Sequence, residues 1–281
     1  MNASNEGRKN HWRALMFGWV ASGYLLLIFG APSAACISMF RLAGESALAA
    51  VALPLLWTVA FLATAGLLSL PHRFAVTAGK FARDLNDPRY FHRRLHGLCW
   101  TAVFYNKPAY FVCLSIPSLK RMTFRLFGYR GSMNFTVYPD TWIRDLPLLH
   151  FEDGAYVSNR ATLGTNIVLN NGMLLVAPIT LRSKALVGHL SMLGPGVEVG
   201  HGAEVAVGAA IGIKSKLDSG SFAGPCSSIE HGVRLGKKVS VGAHSYVGSG
   251  TSLPDGLILP AGSIVAPRTR YVKAFAALAG D

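Results

Sequence analysis

The chain has 281 residues, with 27 Lys and Arg against 14 Asp and Glu, a formal net charge of +13 and an isoelectric point near 9.9. Hydrophobic residues make up 51% and charged residues only 15%, well below the ~25% of soluble domains, which excludes a disordered chain and points partly into lipid. The four cysteines, Cys36, Cys99, Cys113 and Cys226, form no Cys-x-x-Cys pair and have no zinc-type spacing, so reduced structural thiols and no metal are expected.

Two apolar segments come first. Residues 14–40 are 27 in a row without a charge, and residues 46–71 are 26 more. Each exceeds the ~20 residues that cross a hydrocarbon core. Ala31-Pro-Ser-Ala-Ala35 has the small residues of a signal-peptide cleavage site, but a second full-length apolar segment follows at once. Residues 1–71 therefore read as a short tail and a two-helix transmembrane hairpin turning around 41–45. Arg8, Lys9 and Arg13 precede the first span, and Arg73, Lys80, Arg83, Arg89, Arg93 and Arg94 follow the second, whereas the turn holds only Arg41. The positive-inside rule then places both ends in the cytoplasm, a multi-pass arrangement in a bacterial inner membrane.

Residues 72–149 form a basic collar. Positions 72–130 carry 11 Lys and Arg against two acids, Asp84 and Asp87, interleaved with aromatics such as Tyr90, Phe91, Trp100 and Tyr110. Cations among aromatics can mark nucleic-acid binding. Beside a membrane hairpin, an interfacial helical segment on anionic lipid is the simpler reading, and no nucleic-acid partner is expected. Ser118 is expected to cap a short helix with Leu119, Met122 and Leu126 on one side.

From Phe151 onward a step of six lands on an apolar residue every time. The series runs Phe151, Val157, Leu163, Leu169, Leu175, Leu181 and on to Val265, twenty positions in all. No helix or alternating strand has that period, so a solenoid is required. Gly follows the aliphatic at positions including 164, 188, 200, 212, 236 and 248, where a tight turn is expected, and a small residue usually sits two before it.

This pattern resembles the hexapeptide repeat of left-handed parallel β-helix proteins. The resemblance implies an all-β prism over residues 150–267, three hexads per coil and about six and a half coils, with residues 268–281 as a capping helix. It also implies a homotrimer that is an acyl- or acetyltransferase, with acetyl-CoA, another acyl-CoA or an acyl carrier protein as donor. A narrower likeness, carried by Arg125-Leu-Phe-Gly128 and Asp145-Leu-Pro, is to the membrane-associated hexapeptide domain of poly-amino-acid synthetases and nonribosomal peptide enzymes.

The twenty hexads run without interruption, so no extruded loop is expected. Sorted by eighteens, the second face presents Tyr156, Leu174, Met192, Ala210, Ser228, Tyr246 and Ile264, an apolar surface suited to an oligomer. The third face, from Thr162 and Thr180 to Ser252, is solvated. Relatives commonly use a histidine as the general base toward an acceptor hydroxyl or amine. His189, in Val187-Gly-His-Leu beside the apolar face, is the first choice, with His244 and His201 behind it, and Glu204 or Asn171 could orient the ring. The acceptor expected beside a membrane is a lipid-linked or envelope glycan. A non-catalytic trimeric scaffold is the alternative. His189, His201, His231 and His244 do not have the spacing of the three zinc ligands in a γ-type carbonic anhydrase, and no phosphate-binding Gly-rich turn precedes the repeat.

Overall fold

The computed structural model describes residues 3–44 and 46–270, with side chains of the first helix from residue 12 onward. It separates into two compact units, one holding residues up to 129 except 78–80, the other holding 78–80 and the chain from 130. The expected helix over 268–281 lies mostly outside the described residues.

The first unit is helical. Helix α1 spans Ala3–Leu42 and α2 spans Ala47–Ser69, and they pack antiparallel. The turn closes through Gly44 at φ +67° and through Ser46, whose hydroxyl accepts from the Ala49 amide. Between the helices, Trp57 donates to Ser33 at 3.0 Å and stacks on Phe61 at 5.0 Å. Their other faces leave large apolar side chains outside, with Trp19, Leu26, Leu48 and Val51 each at least 74% exposed. Both helices are long and apolar enough to cross a membrane.

Three shorter helices follow: α3 (Pro88–Tyr105), α4 (Lys107–Ser115) and α5 (Pro117–Leu126). Asp87 and Asn106 cap the first two, each accepting a backbone N–H two or three residues on. Ser118 does not cap α5. The helix starts one residue earlier because Pro117 fixes its own φ and needs no donor at that position. Trp100 is the centre of this core, with Tyr110, Phe124 and Phe127 set edge-on at 5.1–5.9 Å. All four cysteines are free; burial pushes the Cys99 thiol up to about 12 and the Cys113 thiol up to about 11.

The second unit is a three-faced parallel β-solenoid of about seven coils. Face one stacks strands at 136–137, 156–157, 186–187, 204–205, 222–223, 240–241 and 258–259; face two follows at 142–143, 162–163, 192–193 and onward to 264–265. Among the described residues face three has six strands, from Leu149–Phe151 through Ile179–Leu181 to Ser252–Leu253. Each strand is two or three residues long, with the aliphatic of the hexad turned inward and buried.

Two features of this register differ from the sequence expectation. The prism begins at Thr136, two strands before that of Phe151, because the first coil departs from the six-residue step: Trp142 and His150, its outward residues on faces two and three, are eight apart. More consequentially, the wall is interrupted. Along face one, Leu186 pairs with Glu204 eighteen residues ahead, but with Tyr156 thirty residues behind. The extra dozen residues leave the wall as a hairpin, Asn166–Val168 antiparallel to Leu174–Val176, onto which a strand beginning at Gly79 adds as a third. Leu169 and Leu175, which continue the hexad series in the sequence, belong to this hairpin and not to the wall. A dozen is two hexads, so the insertion leaves no break in the pattern.

At the hairpin's base lies Asp145, whose side chain is buried and whose backbone is left-handed at φ 55°. Its carboxylate accepts from Thr165 at 2.6 Å and Asn166 at 3.1 Å. The hairpin also shifts the faces. Face two carries Trp142 and Thr162 before Met192, where Tyr156 and Leu174 were expected, and face three begins with His150.

Candidate functional site: the histidine corners and the cleft beside them

The corners of a β-prism are the places where side chains escape the stacked walls, and four histidines stand there. In each corner turn the third residue after the inward aliphatic is left-handed, as at Gly202, Gly208 and Gly232, and also at Lys184, Leu190, Lys214 and His244. The glycine straight after the aliphatic is not left-handed. It serves close approach instead: a Cβ on Gly200 would lie 2.7 Å from backbone atoms of Asp218 and Leu217 in the next coil. The turn expected at that glycine is made two residues later.

His189 sits between faces one and two, half-buried, with no hydrogen bond to its ring among the described residues. Leu190, Met192 and Val207 around it are 44–55% exposed, so this corner is apolar. One coil back in the same column is Asn159, whose carboxamide oxygen is buried without a hydrogen-bond partner. His244 lies at the same corner three coils further on, one place later in its turn, with φ +56° and an exposed ring. His231 stands between faces two and three and accepts the Ile213 amide on Nδ1 at 3.0 Å, which fixes its proton on Nε2.

His201 is held differently. At the corner between faces three and one, its Nδ1 lies 2.7 Å from the Ser183 hydroxyl. Ser183 also lines a cleft of about 800 Å³ whose other walls include Arg130, Ser132, His150, Glu152, Asp153, Thr180 and Arg182. Along face three, Arg182 bridges Glu152 at 2.8 Å and Glu198 at 2.7 Å, and Lys216 reaches Glu198 at 3.4 Å. These contacts hold the carboxyls of Glu152 and Glu198 below the ordinary carboxylate range, with the Arg182 hydrogen bond the main cause in both. Glu152 also accepts the Ser183 amide at 2.9 Å. A charged ladder thus runs into the corner, and Ser183 joins it to His201.

The structure brings His201 together with this cleft and leaves His189 and His244 on another corner. Glu204 points outward from face one and Asn171 lies in the hairpin turn, where its side chain accepts from Met173; neither orients any of these rings. His150 and Ser183 escaped the sequence reading. The available signal was that His150 precedes inward Phe151, but without the hairpin its column aligned with the wrong coil. No group of three metal-ligating side chains occurs among the described residues.

The fold is a three-faced parallel β-solenoid with a six-residue step. No protein-family model and no curated protein matches the chain. Among solved structures it is similar to a hexapeptide transferase family protein from Anaplasma phagocytophilum, with 17% identity, TM-score 0.41, and coverage of 50% of this chain and 76% of that one. A perosamine N-acetyltransferase from Caulobacter crescentus, solved with CoA and GDP-perosamine, is 18% identical over 53% of this chain and 59% of its own, at a TM-score of 0.29. A serine acetyltransferase from Neisseria gonorrhoeae is 14% identical over 83% and 91% of the two chains, at a TM-score of 0.24. The fold assignment rests on the strand register itself.

Proposed function

We propose that the protein is a membrane-anchored acyl- or acetyltransferase in which a corner histidine is the general base. The observation that carries the reading is the pair His201–Ser183, 2.7 Å apart, with Ser183 in the wall of a cleft on the six-residue-repeat prism. With Nδ1–H donating to Ser183 Oγ, the Nε2 lone pair is free to take a proton from an acceptor hydroxyl or amine. The acceptor atom then attacks the thioester carbonyl of an acyl-CoA or acyl carrier protein, the acyl–sulfur bond breaks, and the thiolate leaves with the proton. α1 and α2 anchor the enzyme in the inner membrane with both ends cytoplasmic. The exposed aromatics Phe74, Tyr105 and Phe111 and the cations around them lie at the headgroups. A lipid-linked or envelope-glycan acceptor fits that placement.

His189 is the alternative base, with Asn159 as its orienting partner, and the apolar face beside it is the surface through which a homotrimer forms. His201→Ala is expected to lower turnover by about 10²–10⁴-fold with the melting temperature nearly unchanged, since an exposed corner ring adds little to the aliphatic core. Activity would be followed as thiol release from acetyl-CoA with membranes supplying the acceptor. Loss in His189→Ala with His201→Ala active would move the site to the apolar corner. Full activity in both, and in the His231→Ala and His244→Ala controls, would leave the scaffold reading.

A further inference from the structure

The helical unit has a second charged cavity, built from three segments of chain. Arg13 comes from α1, Arg83 from the loop before α3, and Arg94 from α3; with Asp84, Asn86 and Tyr90 they line a space of about 290 Å³. We propose that these three arginines bind the pyrophosphate group of a membrane lipid, a proposal that rests on the membrane-anchored reading above.

The cavity is shaped and held by contacts that leave its positive charge in place. Asp84 is the one carboxylate among the described residues that line the cavity, and both its oxygens are occupied by Asn86, through the backbone amide at 2.9 Å and the side-chain amide at 2.7 and 2.8 Å. The Asn86 carboxamide oxygen in turn accepts from Arg13, which also attracts the Asp84 carboxylate, so that Arg13 is the cation Asp84 balances. The Arg94 guanidinium lies 4.3 Å from the centre of the Phe17 ring, and Phe17 is itself set edge-on against Phe91 at 5.5 Å. An arginine pre-placed over an aromatic face keeps its fork of donors for an outside acceptor. Three cations against one occupied carboxylate leave an excess of two. A diphosphate, with two charges or more and several acceptor oxygens, complements that excess better than a phosphodiester does.

Position selects a lipid. Arg13 is the last charged residue before the uncharged run of 27, and Phe17 lies one turn further along the same helix. A headgroup at the arginines would leave its hydrocarbon chain beside the apolar length of α1. A soluble diphosphate would draw nothing from that placement.

Full-length protein in detergent micelles would be titrated with a fluorescent polyprenyl pyrophosphate, with phosphatidylglycerol, and with inorganic pyrophosphate as competitor. Wild type is expected to prefer the prenyl pyrophosphate over phosphatidylglycerol. Arg83→Gln and Arg94→Gln should each weaken that binding by about tenfold or more, with Arg83→Lys recovering part of it and phosphatidylglycerol binding unchanged. Equal losses for both lipids, or none for either, would overturn the proposal, since the arginines would then act only as surface charge. Displacement by inorganic pyrophosphate at concentrations matching the lipid would assign the site to a soluble diphosphate and overturn the lipid. No acyl donor is present, so failure of the transferase chemistry does not affect this readout. Failure of the anchor reading would show separately, as wild-type protein that does not float with vesicles.

Discussion

At the scale of single residues, two glycines two places apart have different duties, and substitution separates them. Alanine at Gly200 must push its Cβ against backbone atoms of the next coil 2.7 Å away, which cannot move without opening the wall. A cost of about 1–3 kcal/mol is expected, as for overpacking generally. Gly202 has open space around it but φ +58°, so Gly202→Ala should cost about 1–2 kcal/mol of backbone strain, and Gly202→Asn less. Urea unfolding of the three variants and of Gly200→Asn checks both values; a Gly200→Asn as mild as Gly202→Asn would contradict the close-approach account. Arg182 supplies a pH-dependent counterpart. Its partners Glu152 and Glu198 have depressed folded pKa values, so the stability they add is present above the ordinary carboxylate range and is lost as pH falls through their folded values. Arg182→Met is therefore expected to cost up to about 1 kcal/mol at pH 7, the exposed geometry limiting the gain, and close to nothing at pH 2–3. A cost that persists in acid would show that the side chain acts by packing.

At the scale of elements, the hairpin Asn166–Val176 is separable from the wall. Removing residues 166–177 joins Thr165 to Pro178 and restores an eighteen-residue coil, with Leu163 and Leu181 six apart. The shortened protein is expected to melt within a few degrees of wild type, because the inward aliphatics remain stacked. The proposed acyl transfer, read by thiol release, and the oligomeric state, read by sedimentation, tell whether the hairpin serves either. Collapse of the fold would mean that Asp145 and its partners Thr165 and Asn166 are needed to close the corner.

This element also marks the limit of what the sequence disclosed. Every residue on the step of six from Leu181 to Val265 is buried, because that position faces the solenoid axis, where only aliphatics fill the space. Periodicity counts residues, however, and does not count strands. Leu169 and Leu175 are apolar for the hairpin's own packing, and a dozen residues preserve the phase, so pattern alone could not tell hairpin from wall. The same blindness misaligned His150 and hid the cleft. The first coil escaped for the opposite reason: the turn at Leu146–Leu148 lengthens the step from Ile143 to Phe151, so a rigid count of six does not reach back to Thr136. Ser183 and His201 were visible as residues, but their pairing depends on corners stacking one coil apart, which no local pattern encodes.

At the scale of the whole molecule, face two is the surface that a second copy would cover. Met192 and Ile264 stand outward on it at 55% and 83% exposure, a large apolar area for a chain on its own. If the prisms associate through this face, Met192→Glu with Ile264→Glu should convert the assembly to monomers in mild detergent, each charge being buried without a partner. Sedimentation of wild type and variant side by side is the check, and a wild-type monomer would end the trimer proposal. The aliphatics inside each prism are untouched by these changes, so the far-ultraviolet spectrum should not move.

The hexad-sized hairpin has a practical meaning for anyone wishing to add parts to this protein. A corner that releases the chain and takes it back at the next strand acts as a socket, and whatever is plugged into it need satisfy only the distance between its two ends. The coils on either side keep their phase whatever the length of the insert, since each is aligned by the coil before it and not by residue count. A peptide tag, a fluorophore-bearing loop or a small folded domain placed between Val168 and Leu174 should therefore leave the prism standing. The same freedom means that related chains can differ greatly in length at this one corner while the wall above and below stays superimposable.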